Sequence, residues 1–94
     1  MSERRCVHVT ITGRVQGVGF RAWACSQARA RNLSGWVRNS ADGAVEAVFC
    51  GHAGNVDDMI AACWQGPEWA DVEAVGVAEE AQEADGTFTI VNER

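Results

Sequence analysis

The sequence predicts an α+β fold, in which two helices cover one face of an antiparallel sheet. Two observations lead to this prediction. Apolar residues alternate with polar ones along several short segments, and two longer segments between them have the composition or the apolar spacing of helices. The chain has 94 residues, 47% of them apolar and 22% charged, which is enough to build one hydrophobic core. We therefore expect a single domain over residues 1–94.

The first half of the chain is predicted to form a strand, a helix and a second strand. Apolar and polar residues alternate over residues 6–12, which is the pattern of a half-buried strand. A glycine-rich turn occupies residues 13–21. The segment from 20 to about 32 is rich in Ala, Arg and Gln and favours a helix, which Asn32 can end in the left-handed conformation. A second strand is predicted over residues 33–39.

The second half is predicted to add three strands and one helix. Turn residues at 40–43 connect the second strand to a third, so that these two form a hairpin. Apolar residues recur at intervals of three and four over residues 56–64, which indicates an amphipathic helix. Asn55 is predicted to cap this helix, and Gly66 followed by Pro67 is predicted to end it. The remaining strands are predicted over residues 44–50, 71–78 and 87–91.

The order of elements is therefore β-α-β-β-α-β with a short fifth strand at the end. Two helices can cover only one face of a four-stranded sheet, which agrees with the alternation of apolar and polar residues. The simplest topology with right-handed crossovers is the ferredoxin-like split β-α-β arrangement. Its sheet order is 4-1-3-2, with all four strands antiparallel to their neighbours.

Charge is distributed unevenly along the chain. Seven of the eight arginines lie in the first 40 residues beside a single acidic residue, whereas the rest of the chain has one arginine and twelve acidic residues. The net charge of −5 argues against a protein that coats nucleic acid. The chain has no lysine, which excludes a Walker-type phosphate loop and Schiff-base chemistry. The arginine-rich part is compatible with a small anionic ligand.

The sequence also predicts where the protein resides. No apolar run reaches the roughly 18 residues that a membrane helix needs. The first twelve residues carry two arginines that lead into an alternating segment, unlike a secretion signal. We therefore expect a cytoplasmic protein that binds neither membrane nor nucleic acid.

The segment with the clearest chemistry is GRVQGVGFR, residues 13–21. It lies between a predicted strand and a predicted helix, where free backbone N–H groups and the positive end of the helix dipole favour an anion. Three glycines, Gly13, Gly17 and Gly19, would let the backbone wrap closely around an oxyanion, and Arg21 could then donate two parallel hydrogen bonds to it. The alternative is an ordinary tight turn in which the glycines only relieve strain.

Three segments together resemble the acylphosphatase family: GRVQGVGFR, then GWVRNSADGAVEAV over residues 35–48, then QGPEWADVEAV over residues 65–75. The resemblance covers about residues 6–91. It implies a ferredoxin-like fold and an enzyme that hydrolyses the mixed anhydride of a carboxylic and a phosphoric acid, without metal or cofactor. The substrate would be a small acyl phosphate, and we expect the protein to be a monomer.

The resemblance also assigns roles to residues. Arg21 matches the substrate-binding arginine of the family and Asn39 its catalytic asparagine, which would position the attacking water. The backbone amides that match the family's phosphate cradle belong to Val15, Gln16, Gly17, Val18, Gly19, Phe20 and Arg21. By strand parity Asn39 shares the helix-covered face with Val37, so convergence with Arg21 is possible. Taken alone, an asparagine before such a turn is more simply explained as a residue that favours turns.

Two other functions remain as alternatives. Similar domains begin the much longer hydrogenase-maturation carbamoyltransferases, so the chain could be a non-catalytic phosphate- or carbamoyl-phosphate-binding module. An RNA-binding domain of the same fold would need aromatic residues on the open face of the central strands. The first strand offers Cys6, His8 and Thr10 on that face instead.

The cysteines and histidines do not indicate a metal site. No two cysteines have C-x-x-C spacing, and the two histidines, His8 and His52, belong to no cluster of ligands in the sequence. In the predicted sheet, Cys6 at the start of strand one lies opposite Cys50 at the end of strand three. A disulfide between them is geometrically plausible, although a reducing cytoplasm disfavours it. The sequence leaves this pairing open.

Overall fold

The computed structural model describes residues 3–80 and 82–91. Within them the chain forms five strands and two helices. The elements, in chain order, are β1 Arg4–Arg14, α1 Phe20–Ala30, β2 Ser34–Asn39, β3 Val45–His52, α2 Ala53–Gln65, β4 Asp71–Glu79 and β5 Thr89–Ile90. Neither helix is long and apolar enough to cross a membrane, as far as the described residues show.

The strands form one sheet in the order β4-β1-β3-β2-β5. The four longer strands pair antiparallel in the predicted order, which confirms the ferredoxin-like α+β fold. The predicted order covered these four strands, and the short β5 extends the sheet at one edge, where it pairs parallel with β2. The chain leaves β4 at one edge of the sheet, crosses to the opposite edge and runs there in the direction of β2. The short β5 therefore places Ile90 beside Val37.

The core lies between the sheet and the two helices. Val7, Val9 and Ile11 of β1 are fully buried, as their alternation with polar residues predicts. They share one cluster with residues of both helices, so both helices cover the same face of the sheet. The buried helical residues are Phe20, Ala24, Cys25 and Ala28 in α1 and Val56, Met59 and Cys63 in α2.

The two helices end as the sequence predicts, but one begins differently. Asn32 follows α1 with a positive φ of 58°, and Gly66 follows α2 with a φ of 66°. The predicted cap at Asn55 is wrong, since α2 begins two residues earlier, at Ala53. The backbone N–H of Ala53 donates to the carbonyl oxygen of Glu3 at 2.8 Å, so a distant segment satisfies one of the amides that the start of a helix leaves without an intrahelical partner.

Gly35 in β2 is required by the close approach of β3. Its φ is +127°, and a Cβ at this position would overlap the carbonyl oxygen of Val48. We expect Gly35→Ala to lower the free energy of unfolding by about 3 kcal/mol, because backbone strain and a steric clash add together. Gly54→Ala is the matched control: this helical glycine has open space around it, and alanine there should stabilise by about 0.5 kcal/mol. Urea unfolding measures both values. Equal stabilities for the two variants would contradict the clash.

The disulfide that the sequence left open is present in the structure. Cys6 and Cys50 are direct partners across β1 and β3, with their Cα atoms 4.1 Å apart. The other two cysteines are free thiols in the core. Burial raises the pKa of Cys63 to about 12. Only the thiolate reacts, so at neutral pH both its burial in the core and its protonation protect the Cys63 thiol from oxidation and from thiol reagents.

The cysteine arrangement predicts a thiol count. Under non-reducing denaturation we expect two thiols, from Cys25 and Cys63, to react with a disulfide reagent. After reduction we expect four, and in the native protein close to none. These three counts follow from the pairing of Cys6 with Cys50 and from the burial of Cys25 and Cys63. Four reactive thiols in the unreduced, denatured protein would contradict the disulfide.

Candidate active site

The loop between β1 and α1 exposes its backbone at the start of the helix. Gly17 and Gly19 are exposed and have φ values of 75° and 80°, which glycine adopts without strain. Gly19 is the cap of α1 and has no side chain to cover the first amides. The first helical bond runs from the N–H of Trp23 to the carbonyl oxygen of Gly19, at 3.0 Å. The N–H groups before it are therefore free for a ligand, and no acidic residue stands in this first turn.

A pocket of about 270 Å³ opens beside this loop. The loop, the first turn of α1, the end of β2 and the short strand β5 all contribute to its walls. Its lining residues are Val15, Gly17, Gly19, Phe20, Arg21, Ala22, Asn39 and Ile90. The volume suits a small molecule of the size of a phosphate ester or anhydride.

Arg21 and Asn39 meet at this pocket although they are far apart in the sequence. Arg21 lies in the first turn of α1, and Asn39 is the last residue of β2, on the same side of the sheet as the buried Val37. The sheet order brings the end of β2 to the same side of the molecule as the loop that follows β1. Counted over the described residues, the pocket thus combines one guanidinium, one neutral amide side chain and several backbone N–H groups that no helical bond uses.

Most of the other arginines already have protein partners. Arg4, Arg5 and Arg38 form ion pairs with carboxylates at N–O distances of 2.6 to 2.9 Å, and Arg29 and Arg31 donate to backbone carbonyls. Among the residues that the structure describes, Arg21 takes part in no ion pair or side-chain hydrogen bond of this kind. Its guanidinium is therefore available to a ligand in the pocket.

The side chain of Gln16 fastens the loop to the β2–β3 hairpin. Its Nε2 donates to the carbonyl oxygens of Ser40 and Ala44, at 2.8 and 2.9 Å. The N–H of Ser40 also donates to the carbonyl oxygen of Ala44, which closes the hairpin turn. Because Ser40 follows Asn39 directly, these bonds fix the distance between the loop and the strand end that carries Asn39. No sequence pattern indicates this contact, since it depends on how two distant turns meet.

The pocket differs from the predicted set of site residues in four places. Gln16 and Val18 do not line it: Gln16 faces the hairpin, and Val18 packs against the core. Conversely, Ala22 and Ile90 line the pocket and were not predicted. Ala22 could have been inferred from its place next to Arg21. Ile90 could not, because its position depends on the parallel pairing of β5.

No group of three or more metal-ligating side chains occurs in the part of the chain that the structure describes. The fold and the pocket together define a class: ferredoxin-like α+β proteins with a glycine-rich loop and an arginine at the start of the first helix. A comparison with family models narrows this class. The model of the acylphosphatase family matches residues 7–90, and the chain belongs to that family of enzymes.

Individual proteins agree with this assignment. A curated acylphosphatase of Alcanivorax borkumensis is 54% identical over 79 residues, which is 84% of this chain and 86% of that protein. The solved structure of an acylphosphatase from Coxiella burnetii has a TM-score of 0.90 at 36% identity and covers 94% of this chain and 93% of that one. Full-length HypF, solved in a phosphate- and nucleotide-bound form, has a TM-score of 0.89 at 25% identity. It covers 99% of this chain, but the match is only 13% of HypF.

Proposed function

We propose that this protein, acting as a single-domain monomer, hydrolyses the carboxyl–phosphate bond of small acyl phosphates to a carboxylate and inorganic phosphate. Membership of the acylphosphatase family supports the reaction. The observation that carries the assignment of residues is the pocket that Arg21 and Asn39 share with the loop amides. The mechanism needs only these groups, the substrate and water.

Phosphate binding is the first step of the proposed mechanism. The free N–H groups of the loop and the first turn of α1 donate to the phosphoryl oxygens, and the helix dipole favours their negative charge. Arg21 donates two further hydrogen bonds with its planar guanidinium. These donors are fixed by the protein before the substrate arrives, so they stabilise the charge that spreads over the equatorial oxygens in the transition state without reorganisation.

The chemical step is an in-line attack of water on phosphorus. The bond from water oxygen to phosphorus forms as the bond from phosphorus to the carboxylate oxygen breaks. Carboxylate is a good leaving group, so it departs without being protonated. The side-chain oxygen of Asn39 accepts a hydrogen bond from the water, and its N–H₂ group donates to a phosphoryl oxygen, which aligns the two reactants. The proton of the water passes to an oxygen of the phosphoryl group itself.

A second function has one observation in its favour. HypF contains a region of the same fold as a small part of a much longer protein, in a form with bound phosphate and nucleotide. A chain of this fold could therefore bind phosphate or carbamoyl phosphate without hydrolysing it. The high identity to an acylphosphatase of similar length favours the enzyme.

Hydrolysis of benzoyl phosphate in the presence of a metal chelator tests the two functions. The enzyme is expected to release benzoate and phosphate in equal amounts, well above the spontaneous rate, and the chelator should leave this rate unchanged. Calorimetric titration with inorganic phosphate is run in parallel. Phosphate binding without turnover of benzoyl phosphate would favour the binding module, and loss of turnover in the chelator would contradict the proposed mechanism.

A further inference from the structure

The pocket has an apolar wall that the proposed phosphate binding does not use. Val15 and Phe20 are only 1% and 2% exposed, so they form its floor and offer little surface to a ligand. Ile90 is different, because it is 44% exposed and still lines the pocket. Ala22, the other exposed apolar residue of the lining, presents a single methyl group. Ile90 is thus the one large apolar side chain with free surface among the lining residues that the structure describes.

The backbone around Ile90 is held firmly. Phe88, two residues earlier, is fully buried and stacks on Phe49 with ring centroids 5.4 Å apart. The carbonyl oxygen of Phe88 accepts a hydrogen bond from Nε of Arg29 at 3.0 Å. On the other side of Ile90, the N–H of Val91 donates to the carbonyl oxygen of Val37 at 2.9 Å. Anchored on both sides, Ile90 is a fixed part of the pocket.

An acyl phosphate bound at the loop must direct its acyl group away from the phosphate-binding amides. The polar groups of the pocket, Arg21, Asn39 and the loop N–H groups, suit the phosphoryl oxygens. The acyl group has only a carbonyl oxygen to offer them, and any larger acyl group adds apolar surface. The exposed face of Ile90 is where such surface can be removed from water.

We propose that Ile90 contacts the acyl group of the substrate, so that the site prefers acyl phosphates with an apolar or aromatic acyl group over acetyl or carbamoyl phosphate. This inference rests on the proposed function, because it takes the phosphate to bind at the loop. Ile90 does not touch the reacting atoms. It contributes binding energy in proportion to the apolar surface of the acyl group, and this contribution appears in KM more than in kcat.

The test compares Ile90→Ala with Val91→Ala on two substrates. Val91 is the control because it is adjacent, similarly exposed at 37%, and absent from the pocket lining. We expect Ile90→Ala to raise KM for benzoyl phosphate by about three- to tenfold, since a half-exposed contact contributes less than a buried one. KM for acetyl phosphate and the inhibition constant of inorganic phosphate should change by less than about twofold. Val91→Ala should leave all three constants unchanged.

The outcomes separate this inference from the proposed function. An equal rise of KM for both substrates, or no rise for either, would show that Ile90 does not contact the acyl group. If the wild-type protein hydrolyses neither substrate, the proposed function fails. In that case the relative affinity of benzoyl and acetyl phosphate, measured by calorimetry on wild type and Ile90→Ala, still decides whether Ile90 contacts the acyl group.

Discussion

Replacement of Arg21 by alanine is expected to lower kcat/KM for benzoyl phosphate by about 10³-fold or more, which is the scale of an arginine that stabilises a phosphoryl-transfer transition state. The side chain lines the pocket, lies at the positive end of α1 and is free of ion pairs among the described residues. Its loss removes the only guanidinium among the described residues that line the pocket. Arg21→Lys keeps the charge but not the planar fork, so we expect it to recover only a small part of the activity.

Steady-state kinetics on wild type, Arg21→Ala and Arg14→Ala measure this effect. Arg14 is the matched control, because it is an exposed arginine at the end of β1 that does not line the pocket. We expect Arg14→Ala to keep activity within about threefold, through a weaker long-range field on the anionic substrate. Thermal unfolding of each variant checks that the fold is intact. Full activity of a folded Arg21→Ala protein would exclude the proposed phosphate binding.

Replacement of Asn39 by alanine is expected to lower kcat by about 10²- to 10³-fold while KM changes little. In the proposed mechanism Asn39 aligns the water, and this contribution is made in the transition state rather than in substrate binding. Asn39→Asp should be no better, since a carboxylate keeps the acceptor but loses the N–H₂ donor and repels the phosphoryl oxygens.

Asn55→Ala is the control for Asn39→Ala. Asn55 lies in the first turn of α2 and is not part of the pocket lining, so its replacement should leave both constants near the wild-type values. The ratio of the effects on kcat and KM is the decisive readout. A rise of KM with unchanged kcat would assign Asn39 to substrate binding instead of water alignment.

The sequence predicted most of the fold because its signals were local. Alternation over residues 6–12 placed the central strand, and the turn at residues 40–43 placed the hairpin beside it. The start of α2 and the pairing of β5 were not predicted, because distant segments decide both. At the start of α2 the N–H of Ala53 donates to the carbonyl oxygen of Glu3, and β5 pairs with β2 after the chain has crossed from β4 to the far edge of the sheet.

In the site, too, residues in local sequence patterns were predictable, and residues placed by tertiary contacts were not. Arg21 and Asn39 stand in motifs with specific sequence patterns, and strand parity indicated that they could meet. The double hydrogen bond of Gln16 and the exposed face of Ile90 have no such pattern, because glutamine and isoleucine are common residues whose contacts only the tertiary structure defines. Residues that position the site or shape its specificity were therefore harder to predict than those proposed to carry the chemistry.

The disulfide between Cys6 and Cys50 has a consequence for the unfolded chain. The two cysteines are 44 positions apart, so their bond closes a covalent ring that contains the glycine-rich loop, Arg21 and Asn39. By its effect on chain entropy, a ring of this size disfavours the unfolded state by about 4 kcal/mol. Arg21 and Asn39 stay within this ring when the protein unfolds. Refolding therefore begins from chains in which these two residues are already confined near each other.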